Sequence, residues 1–303
     1  MASTLQLAAG DARVAVVPAA GGSIAEFTWR GAEVLKSAAP QAVAAGDVLA
    51  MASYPLVPYS NRIAGARLAF DGASHALRRN LGDHPHAIHG VGWQRPWGVR
   101  EHTAARVVLE LLHAADGSGA QDWPWPFRAE QEFRLAATDG GASLTATLAI
   151  ANTGPRRFPC GLGWHPFFPR DAATRLAFAA AGVWETDATR LPTACVRPEP
   201  WGFATLRPVP DEPLDHVFAG WSGTALLQQG AGGLAIRLGA DAPCRHLVVY
   251  TPGDGRSIAL EPVTHVTDAF NRAARDDADT GMLVLDPGAR IACTMRIDVS
   301  LAP

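Results

Sequence analysis

Alternation of apolar and polar residues with a period of two is the feature that most constrains the fold of this chain. It is clearest in the stretches FRAEQEFRL, at residues 127–135, and SLTATLAIA, at residues 143–151. Side chains two positions apart lie on the same face of a β-strand. The apolar faces are formed by Phe127, Ala129, Phe133 and Leu135 in the first stretch and by Leu144, Ala146, Leu148 and Ile150 in the second. The intervening TDGG predicts a tight turn and therefore an antiparallel hairpin.

The same pattern recurs along the chain and predicts an all-β protein. RLAFDGASHALR, at residues 67–78, is a second hairpin candidate because Asp71 and Gly72 tolerate the positive φ angles of a tight turn. Helix signals are few: TDAFNRAARDD, where Thr267 is a candidate N-cap, and the weaker PQAVAAGDV. Turn residues are spread evenly and mark no linker. We therefore expect residues 1–303 to form one domain, a large antiparallel β-sandwich with few short helices.

Composition limits the classes of partner. The chain has 303 residues, is 48% hydrophobic and 18% charged, and carries a formal net charge of −3. This balance allows a large core and gives no electrostatic reason to bind nucleic acid or an anionic membrane. The N-terminus lacks a signal-peptide pattern, and no apolar run approaches the roughly 18 residues of a membrane span. The four cysteines form no CxxC pair and are expected to be small buried residues. We expect a cytoplasmic protein that acts on a small, neutral molecule.

The segment HPHAIHG contains three histidines and suggests a metal site. In an extended chain His84 and His86 would point to one side and His89 to the other, so the three would converge only if the backbone turned between them. The nearest following glutamate, Glu101, is too far along the chain for a compact ligand motif. The sequence therefore argues against a metal centre at these histidines.

Several other motifs place polar side chains in apolar surroundings, and each has two interpretations. GLGWHPFF puts His165 inside an apolar run, where a ring is either a satisfied core residue or a proton carrier. Glu261, at the end of the strand SIAL, and Asp215, in LDHVF, are either structural acids or members of a pocket. In PYSNRIAG, Asn61 and Arg62 present an amide and a guanidinium fork, which could bind a ligand, although most arginines pair with a surface acid. No nucleophile elbow, phosphate-binding glycine loop or dinucleotide fingerprint is present.

Taken in order, PYSNRIAGARLAFDG, AIHG, GLGWHPFF, LDHVF and LEPVTHVTDAFN resemble the successive signatures of the aldose 1-epimerase (galactose mutarotase) family. These five motifs span residues 58–271, and their order makes the resemblance specific. It implies the galactose mutarotase-like β-sandwich, the supersandwich of that family. It also implies an enzyme that interconverts the α and β anomers of a free monosaccharide without a cofactor or metal.

The resemblance also assigns roles to individual residues. It makes His165 the general acid, Glu261 the general base, and His89 a second site histidine that hydrogen-bonds the sugar near the reacting centre. Residues matched to sugar binding are Asn61, Arg62 and Asp215, and Trp164, Trp93 and Phe167 could supply apolar faces for a sugar ring. Reference pKa values of about 4.3 for Glu and about 6.5 for His predict an ionised base and a partly protonated acid at neutral pH.

One position departs from the galactose-acting branch of the family, and several alternatives stay open. Where that branch has a glutamine two places before the tyrosine of the YT strand, this chain has Val248, so the sugar need not be galactose. A hexose-6-phosphate 1-epimerase would need converging cations, of which Arg62 is the clearest, and Arg67, Arg78, Arg79 and Arg95 have unknown directions. A non-catalytic sugar-binding protein of the same fold is a further alternative. The sequence does not distinguish a monomer from a homodimer.

Overall fold

The structure is a computed structural model that describes residues 4–199, 201–230 and 233–302. Its strands, in chain order, are β1 Leu5–Ala9, β2 Ala12–Val17, β3 Ser23–Trp29, β4 Ala32–Leu35, β5 Pro55–Leu56, β6 Arg62–Ile63, β7 Arg67–Phe70, β8 Ala73–Ala76, β9 Ala87–Ile88, β10 Gly98–His102, β11 Arg106–His113, β12 Phe127–Thr138, β13 Gly141–Asn152, β14 Phe158–Cys160, β15 Gly163–Trp164, β16 Phe167–Pro169, β17 Arg175–Phe178, β18 Gly182–Thr186, β19 Pro192–Val196, β20 Arg207–Pro208, β21 Asp215–Ala219, β22 Thr224–Gln228, β23 Leu234–Ala240, β24 His246–Tyr250, β25 Ser257–Val263, β26 Leu283–Leu285 and β27 Arg290–Leu301. The helices are α1 Pro40–Ala45, α2 Gly119–Asp122 and α3 Ala269–Ala273, with 3-10 turns at Val48–Ala50, Ala64–Ala66 and Gly92–Gln94.

Two large antiparallel sheets form the body of the protein. One has nine strands in the order β10, β11, β12, β13, β27, β23, β22, β17, β20. The other has eight, in the order β19, β18, β21, β24, β25, β15, β5, with β16 also paired to β25. A four-stranded sheet of β1 to β4 and three two-stranded sheets complete the architecture. The predicted all-β sandwich is confirmed.

The hairpins follow the alternation in the sequence. β12 and β13 pair in register from Phe127 with Asn152 to Thr138 with Gly141, around a two-residue turn. The predicted apolar faces of both strands are buried, because these residues contribute to a hydrophobic cluster that also contains side chains of the eight-stranded sheet. β7 and β8 form the second hairpin, and Asp71 and Gly72 at its turn have φ angles of 49° and 73°. Both hairpin predictions are confirmed.

The helices are short, and one predicted cap is wrong. α1 and α3 occur where the sequence suggests helices, whereas the single turn α2 has no clear sequence signal. The N-cap of α3 is Asp268 rather than Thr267, with a φ of 57° and no capping bond from its side chain. Asp268 Oδ1 instead accepts a hydrogen bond from the Ala64 N–H at 2.9 Å, so its carboxylate holds a neighbouring loop. Within the described residues, no helix is long and apolar enough to cross a membrane.

Three of the cysteines are buried as predicted, but the prediction is wrong for the fourth. Cys160, Cys244 and Cys293 lie in the core, while Cys195 on β19 is exposed. β19 is the outermost strand of the eight-stranded sheet, so its side chains have less of the fold to cover them.

Candidate active site

A cavity of about 370 Å³ opens beside the eight-stranded sheet. Its volume lies in the range typical of small-molecule sites. Besides the tyrosines Tyr54 and Tyr250, the polar residues of its lining are Lys36, Asn61, Arg62, His84, His89, His165, Asp215 and Glu261. Six of these eight come from the signature motifs, which are far apart in the sequence, and the fold brings them to one place.

The register of the sheet sets His165 opposite Glu261. The flanking pairs are Gly163 with Val263 and Phe167 with Ala259, and His165 lies midway between them, across from Glu261 on β25. Directly opposite side chains in an antiparallel pair lie on the same face. His165 Nε2 lies 3.2 Å from Glu261 Oε1, and both side chains are buried. Their remaining polar atoms, His165 Nδ1 and Glu261 Oε2, have no hydrogen-bond partner within the described residues.

The glycines of GLGWHPFF allow this segment to pack against β25 and the residues after it. A Cβ added at Gly161 would lie 1.9 Å from the His265 ring, and one at Gly163 would lie 2.7 Å from the Pro262 carbonyl oxygen. His265 in turn accepts a hydrogen bond from the Ser60 N–H through Nε2, at 3.1 Å. The segment that carries His165 is thus pressed against residues that also hold the loop of Asn61 and Arg62.

Two aromatic rings enclose the His165 imidazole. Phe167 stacks on it with ring centroids 4.5 Å apart, and Tyr54 lies 4.7 Å away on a tilted plane. The Tyr54 carbonyl also accepts the His165 backbone N–H at 3.0 Å. Because rotation of the imidazole would collide with one ring or the other, its orientation toward Glu261 is fixed by packing.

Burial shifts both members of the pair toward their neutral forms. It lowers the pKa of His165 to about 3, with a smaller contribution from the Arg62 charge. It raises the pKa of Glu261 well above its ordinary value, and the nearby Asp215 charge acts in the same direction. The expectation of an ionised glutamate facing a partly protonated histidine, drawn from reference values, is therefore wrong for the unliganded pair. Desolvation is the physical reason.

His89 is held as a neutral ring with a defined tautomer. The Asn61 backbone N–H donates to His89 Nδ1 at 3.0 Å. The His89 backbone N–H donates in turn to the Asn61 carbonyl at 2.9 Å. An accepting Nδ1 leaves the proton of the neutral ring on Nε2, which makes that atom a donor. Burial, with the nearby His165 and Arg62 as smaller causes, lowers the pKa of His89 well below its ordinary value. His89 can therefore offer an N–H to an oxygen in the cavity.

Asn61, Arg62 and Asp215 form a hydrogen-bonded chain in the cavity wall. Asn61 Oδ1 accepts from Arg62 Nη1 at 2.9 Å, and Asp215 Oδ2 accepts from Arg62 Nη2 at 3.1 Å. Asn61 has a φ of 56°, a conformation that asparagine tolerates better than most residues. Arg62 Nε is buried and has no partner within the described residues. The chain fixes a guanidinium and a carboxylate side by side, a pairing suited to sugar hydroxyls.

Trp164 and the histidine-rich segment differ from expectation. Trp164 is 1% exposed, packs in the hydrophobic core and does not line the cavity, because consecutive residues of a strand point to opposite faces and His165 takes the cavity side. Its assignment to sugar binding therefore has no support in the geometry. Trp93 and Phe167, the other aromatic candidates, do line the cavity.

The three histidines do not share one centre. His84 lines the cavity with His89, whereas His86 turns away and accepts the Gly65 N–H through Nδ1 at 3.0 Å. The chain is bent over residues 81–86 rather than extended, so His84 and His86 do not point to one side as they would in an extended chain. Among the described residues, no three His, Cys, Asp or Glu side chains are arranged to hold a metal ion.

The family model for aldose 1-epimerase matches residues 3–298. The chain belongs to the aldose 1-epimerase family. The uncharacterized protein YphB of Escherichia coli K12 is 30% identical over 287 residues, which are 92% of this chain and 93% of YphB. A solved structure from the same organism, provisionally assigned as an aldose 1-epimerase, has a TM-score of 0.88 at 26% identity and covers 100% of both chains. A galactose mutarotase-like protein from Clostridium acetobutylicum shares the fold, with a TM-score of 0.82 at 17% identity over 98% of this chain and 95% of its own.

Membership in the aldose 1-epimerase family supports an epimerase, and the geometry adds cavity residues that the motifs miss. Tyr54, Tyr250 and Lys36 line the cavity but lie outside the five signatures. The sequence does point to Tyr250, because it is the tyrosine of the YT strand, two places after Val248. In the structure it pairs with Asp215 on the neighbouring strand. Tyr54 and Lys36 belong to segments whose place in the fold depends on long-range contacts, and nothing local in the sequence indicates them.

Val248, where the galactose-acting branch has glutamine, lies directly opposite Glu261 on the neighbouring strand. It is buried, and it lies outside the cavity lining. A valine in this place gives Glu261 an apolar neighbour, which agrees with the burial that raises the glutamate pKa. A polar group on this side of the cavity has to come from another residue, such as Tyr250, which lines it.

Proposed function

We propose that the protein interconverts the α and β anomers of a free aldose by opening and closing the sugar ring. The observation that carries this proposal is the 3.2 Å contact between His165 Nε2 and Glu261 Oε1 at the buried side of the cavity. The ring oxygen and the anomeric hydroxyl are bonded to the same carbon. An acid and a base that serve both oxygens must therefore reach the same carbon from one cavity, and His165 and Glu261 meet this condition.

In the proposed reaction Glu261 removes the proton of the anomeric hydroxyl while the protonated His165 donates a proton to the ring oxygen. The bond between C1 and the ring oxygen breaks, and the open-chain aldehyde rotates about C1–C2. The reverse transfers close the ring on the other face. Each positioned proton transfer contributes about 10² to 10⁴ in rate. The reaction involves no net redox change and no transfer of a group to another molecule.

The pair shares one proton, and its electrostatics decide which of the two side chains carries that proton before the reaction. An imidazolium with a carboxylate holds as many protons as a neutral histidine with a protonated glutamate, and ring opening converts the first state into the second. Burial lowers the pKa of His165 and raises that of Glu261, so it favours the second state. The pair therefore has to reach its ionised state before the ring opens, and the free energy that burial returns in the ring-opening step offsets that cost.

The remaining polar residues are proposed to hold the sugar. His89 would donate its Nε2–H to an oxygen near the reacting carbon, because Nδ1 is occupied by the Asn61 N–H. Arg62 and Asp215 would bind hydroxyls, and Asn61 keeps the Arg62 guanidinium in place. Phe167 and Trp93 offer apolar faces for the carbon skeleton of the ring.

Polarimetry of freshly dissolved pure anomers tests the proposal. α-Glucose, α-galactose and further aldoses are followed to equilibrium with and without the protein. We expect faster decay of the rotation for at least one aldose. Unchanged decay for every aldose would refute catalysis, and calorimetric binding without acceleration would instead identify a non-catalytic sugar-binding protein.

A hexose 6-phosphate has less support as a substrate. Among the residues that the structure describes, the lysine and arginine side chains that line the cavity are Lys36 and Arg62, and each is already paired with an aspartate. Arg78 and Arg95 bind Asp122 outside the cavity. Glucose and glucose 6-phosphate compared in the same assay separate the two substrate classes.

A further inference from the structure

Lys36 is the only lysine among the 26 lysine and arginine residues of the chain. The other 25 of these residues are arginines. The two side chains are not interchangeable, because lysine offers a compact ammonium with three rotatable donors and arginine offers a broad planar fork. Lys36 is therefore chemically distinct from the 25 arginines of the chain.

That single lysine lies at the proposed active site. Lys36 follows β4, and its backbone N–H donates to the Phe167 carbonyl at 2.8 Å. Phe167 is also the residue whose ring stacks on His165. Its side chain lines the cavity. Its Nζ lies 3.3 Å from Asp254 Oδ2, and both side chains are a little under half exposed. Lys36 thus lies at an exposed part of the cavity wall, with the Asp254 carboxylate beside it but outside the lining, whereas His165 and Glu261 are buried.

Stability of the fold does not account for this pair. An ion pair with a single contact and two exposed side chains contributes little, since solvent screens the attraction and holding two long side chains costs entropy. Asp254 is positioned independently of Lys36, because its Oδ1 accepts the Arg256 N–H at 3.0 Å. The ammonium therefore lies beside a carboxylate that is fixed by its own backbone contact, at an exposed part of the cavity wall.

The charges around the cavity indicate what such a pair would bind. Lys36 is balanced by Asp254, and Arg62 by Asp215, so the described wall has no unpaired lysine or arginine charge to attract an anion. Neighbouring hydroxyls of a neutral sugar need a donor for one oxygen and an acceptor for the other proton. An ammonium and a carboxylate 3.3 Å apart supply both.

We propose that Lys36 and Asp254 form a specificity-determining pair that binds two adjacent hydroxyls of a neutral aldose, away from the reacting carbon. The proposal rests on the proposed function, since it names how that same cavity selects its substrate. Lys36 contacts the substrate in the ground state and the transition state alike. Its loss should therefore raise KM and leave kcat nearly unchanged.

Lys36→Met removes the ammonium and keeps an apolar side chain of similar length, and Asp254→Asn removes the carboxylate charge. On the best aldose substrate we expect each to lower kcat/KM by about tenfold or more through KM, as loss of a hydrogen bond to a charged group does. Lys36→Arg should lower kcat/KM by less than Lys36→Met, because arginine keeps the positive charge but presents it on a broad planar guanidinium. Arg296→Met is the matched control: Arg296 pairs with Asp298 at 2.7 Å, is similarly exposed and lies outside the cavity, so its kinetics should match the wild type.

A second measurement is independent of turnover. An amine-acylating reagent can modify only Lys36 and the α-amino group, and peptide mass spectrometry quantifies each. Saturating amounts of a neutral aldose that the protein turns over should slow acylation of Lys36 several-fold and leave the α-amino group unaffected. The proposal is overturned if Lys36→Met matches the wild type, if Lys36 is not protected, or if its loss weakens only an anionic sugar such as glucose 6-phosphate. A wild type that accelerates no aldose would overturn the proposed function instead.

Discussion

His165 and Glu261 face each other across neighbouring segments of one sheet, with Nε2 and Oε1 3.2 Å apart. The residues are nearly 100 positions apart in the sequence, and the register of β25 against β15 and β16 brings them together. The contact is buried, and burial is the largest cause of the pKa shift of each group. This pair is the centre of the proposed chemistry.

Replacement of Glu261 by glutamine should remove the base and keep the shape of the side chain. We expect the rate of anomer interconversion to fall by at least about 10², because that is the smaller end of the contribution of a positioned proton transfer. Polarimetry measures the rate, and circular dichroism checks that the strand content is unchanged. A folded variant with the wild-type rate would remove Glu261 from the mechanism.

Two substitutions at His89 separate its contact with the protein from its proposed contact with the sugar. Asparagine can still accept the Asn61 N–H in place of Nδ1 but has no donor in the position of Nε2. We expect His89→Asn to fold stably and to lose at least tenfold in kcat/KM, consistent with loss of a hydrogen bond in the site.

His89→Ala serves as the companion variant. It leaves the buried Asn61 N–H without an acceptor, which costs about 1–3 kcal/mol of unfolding free energy in addition to the lost activity. Denaturant titration of both variants measures the difference. Equal stability of the two would show that the Asn61 contact does not hold the loop.

Asp215→Asn should weaken binding of the sugar more than it affects the chemical step. The amide keeps an oxygen near Arg62 Nη2 but loses the charge that balances the guanidinium. We expect KM to rise about tenfold with kcat within about threefold of the wild type. Initial rates over a range of sugar concentrations measure both constants. A fall in kcat at unchanged KM would instead place Asp215 in the proton transfers.

Acid should destabilise the protein through its buried histidines. Burial lowers the pKa of His265 to about 4, and it does the same for His246. Below the unfolded-state pKa of about 6.5, these histidines bind protons in the unfolded chain but stay neutral in the folded chain. The free energy of unfolding therefore falls as the pH decreases from about 6.5 to about 4. The His265 ring alone contributes on the order of 3 kcal/mol to this loss.

Urea unfolding at pH 7 and pH 5 for the wild type and His265→Gln measures the effect. The variant should lose less stability between the two pH values, because glutamine does not titrate. The same loss in both proteins would show that His265 does not carry this dependence. The raised pKa of Glu261 acts in the other direction: its stabilising contribution is present at low pH and is lost as the pH rises through the folded-state value.

The strands and the pairing of the hairpins could be predicted from the sequence because both follow from local patterns. The alternation of apolar and polar residues predicted β12 and β13, and the Asp71–Gly72 dipeptide predicted the turn between β7 and β8. The cap of α3 could not be predicted in this way. Asp268 adopts a positive φ and bonds to a distant loop, a tertiary contact that overrides the local preference for Thr267.

The cavity residues of the motifs could be named from the resemblance, but their surroundings could not. The identity of His165 and Glu261 does not reveal that both are desolvated, and their pKa directions follow from burial. Trp164 precedes His165 in the sequence and was therefore a reasonable candidate, yet the strand directs it into the core. Lys36 reaches the cavity through a backbone contact with Phe167 that no local pattern encodes.

Exchange of magnetisation between the α and β anomeric protons of a free aldose, followed by proton NMR at equilibrium, tests the central claim most directly. The measurement reports interconversion at the anomeric carbon and no other isomerisation. With catalytic amounts of wild-type protein we predict exchange well above the spontaneous rate for at least one neutral aldose, and exchange at least about 10² slower with Glu261→Gln. Exchange at the spontaneous rate for every aldose, or equal exchange with the two proteins, would contradict the account.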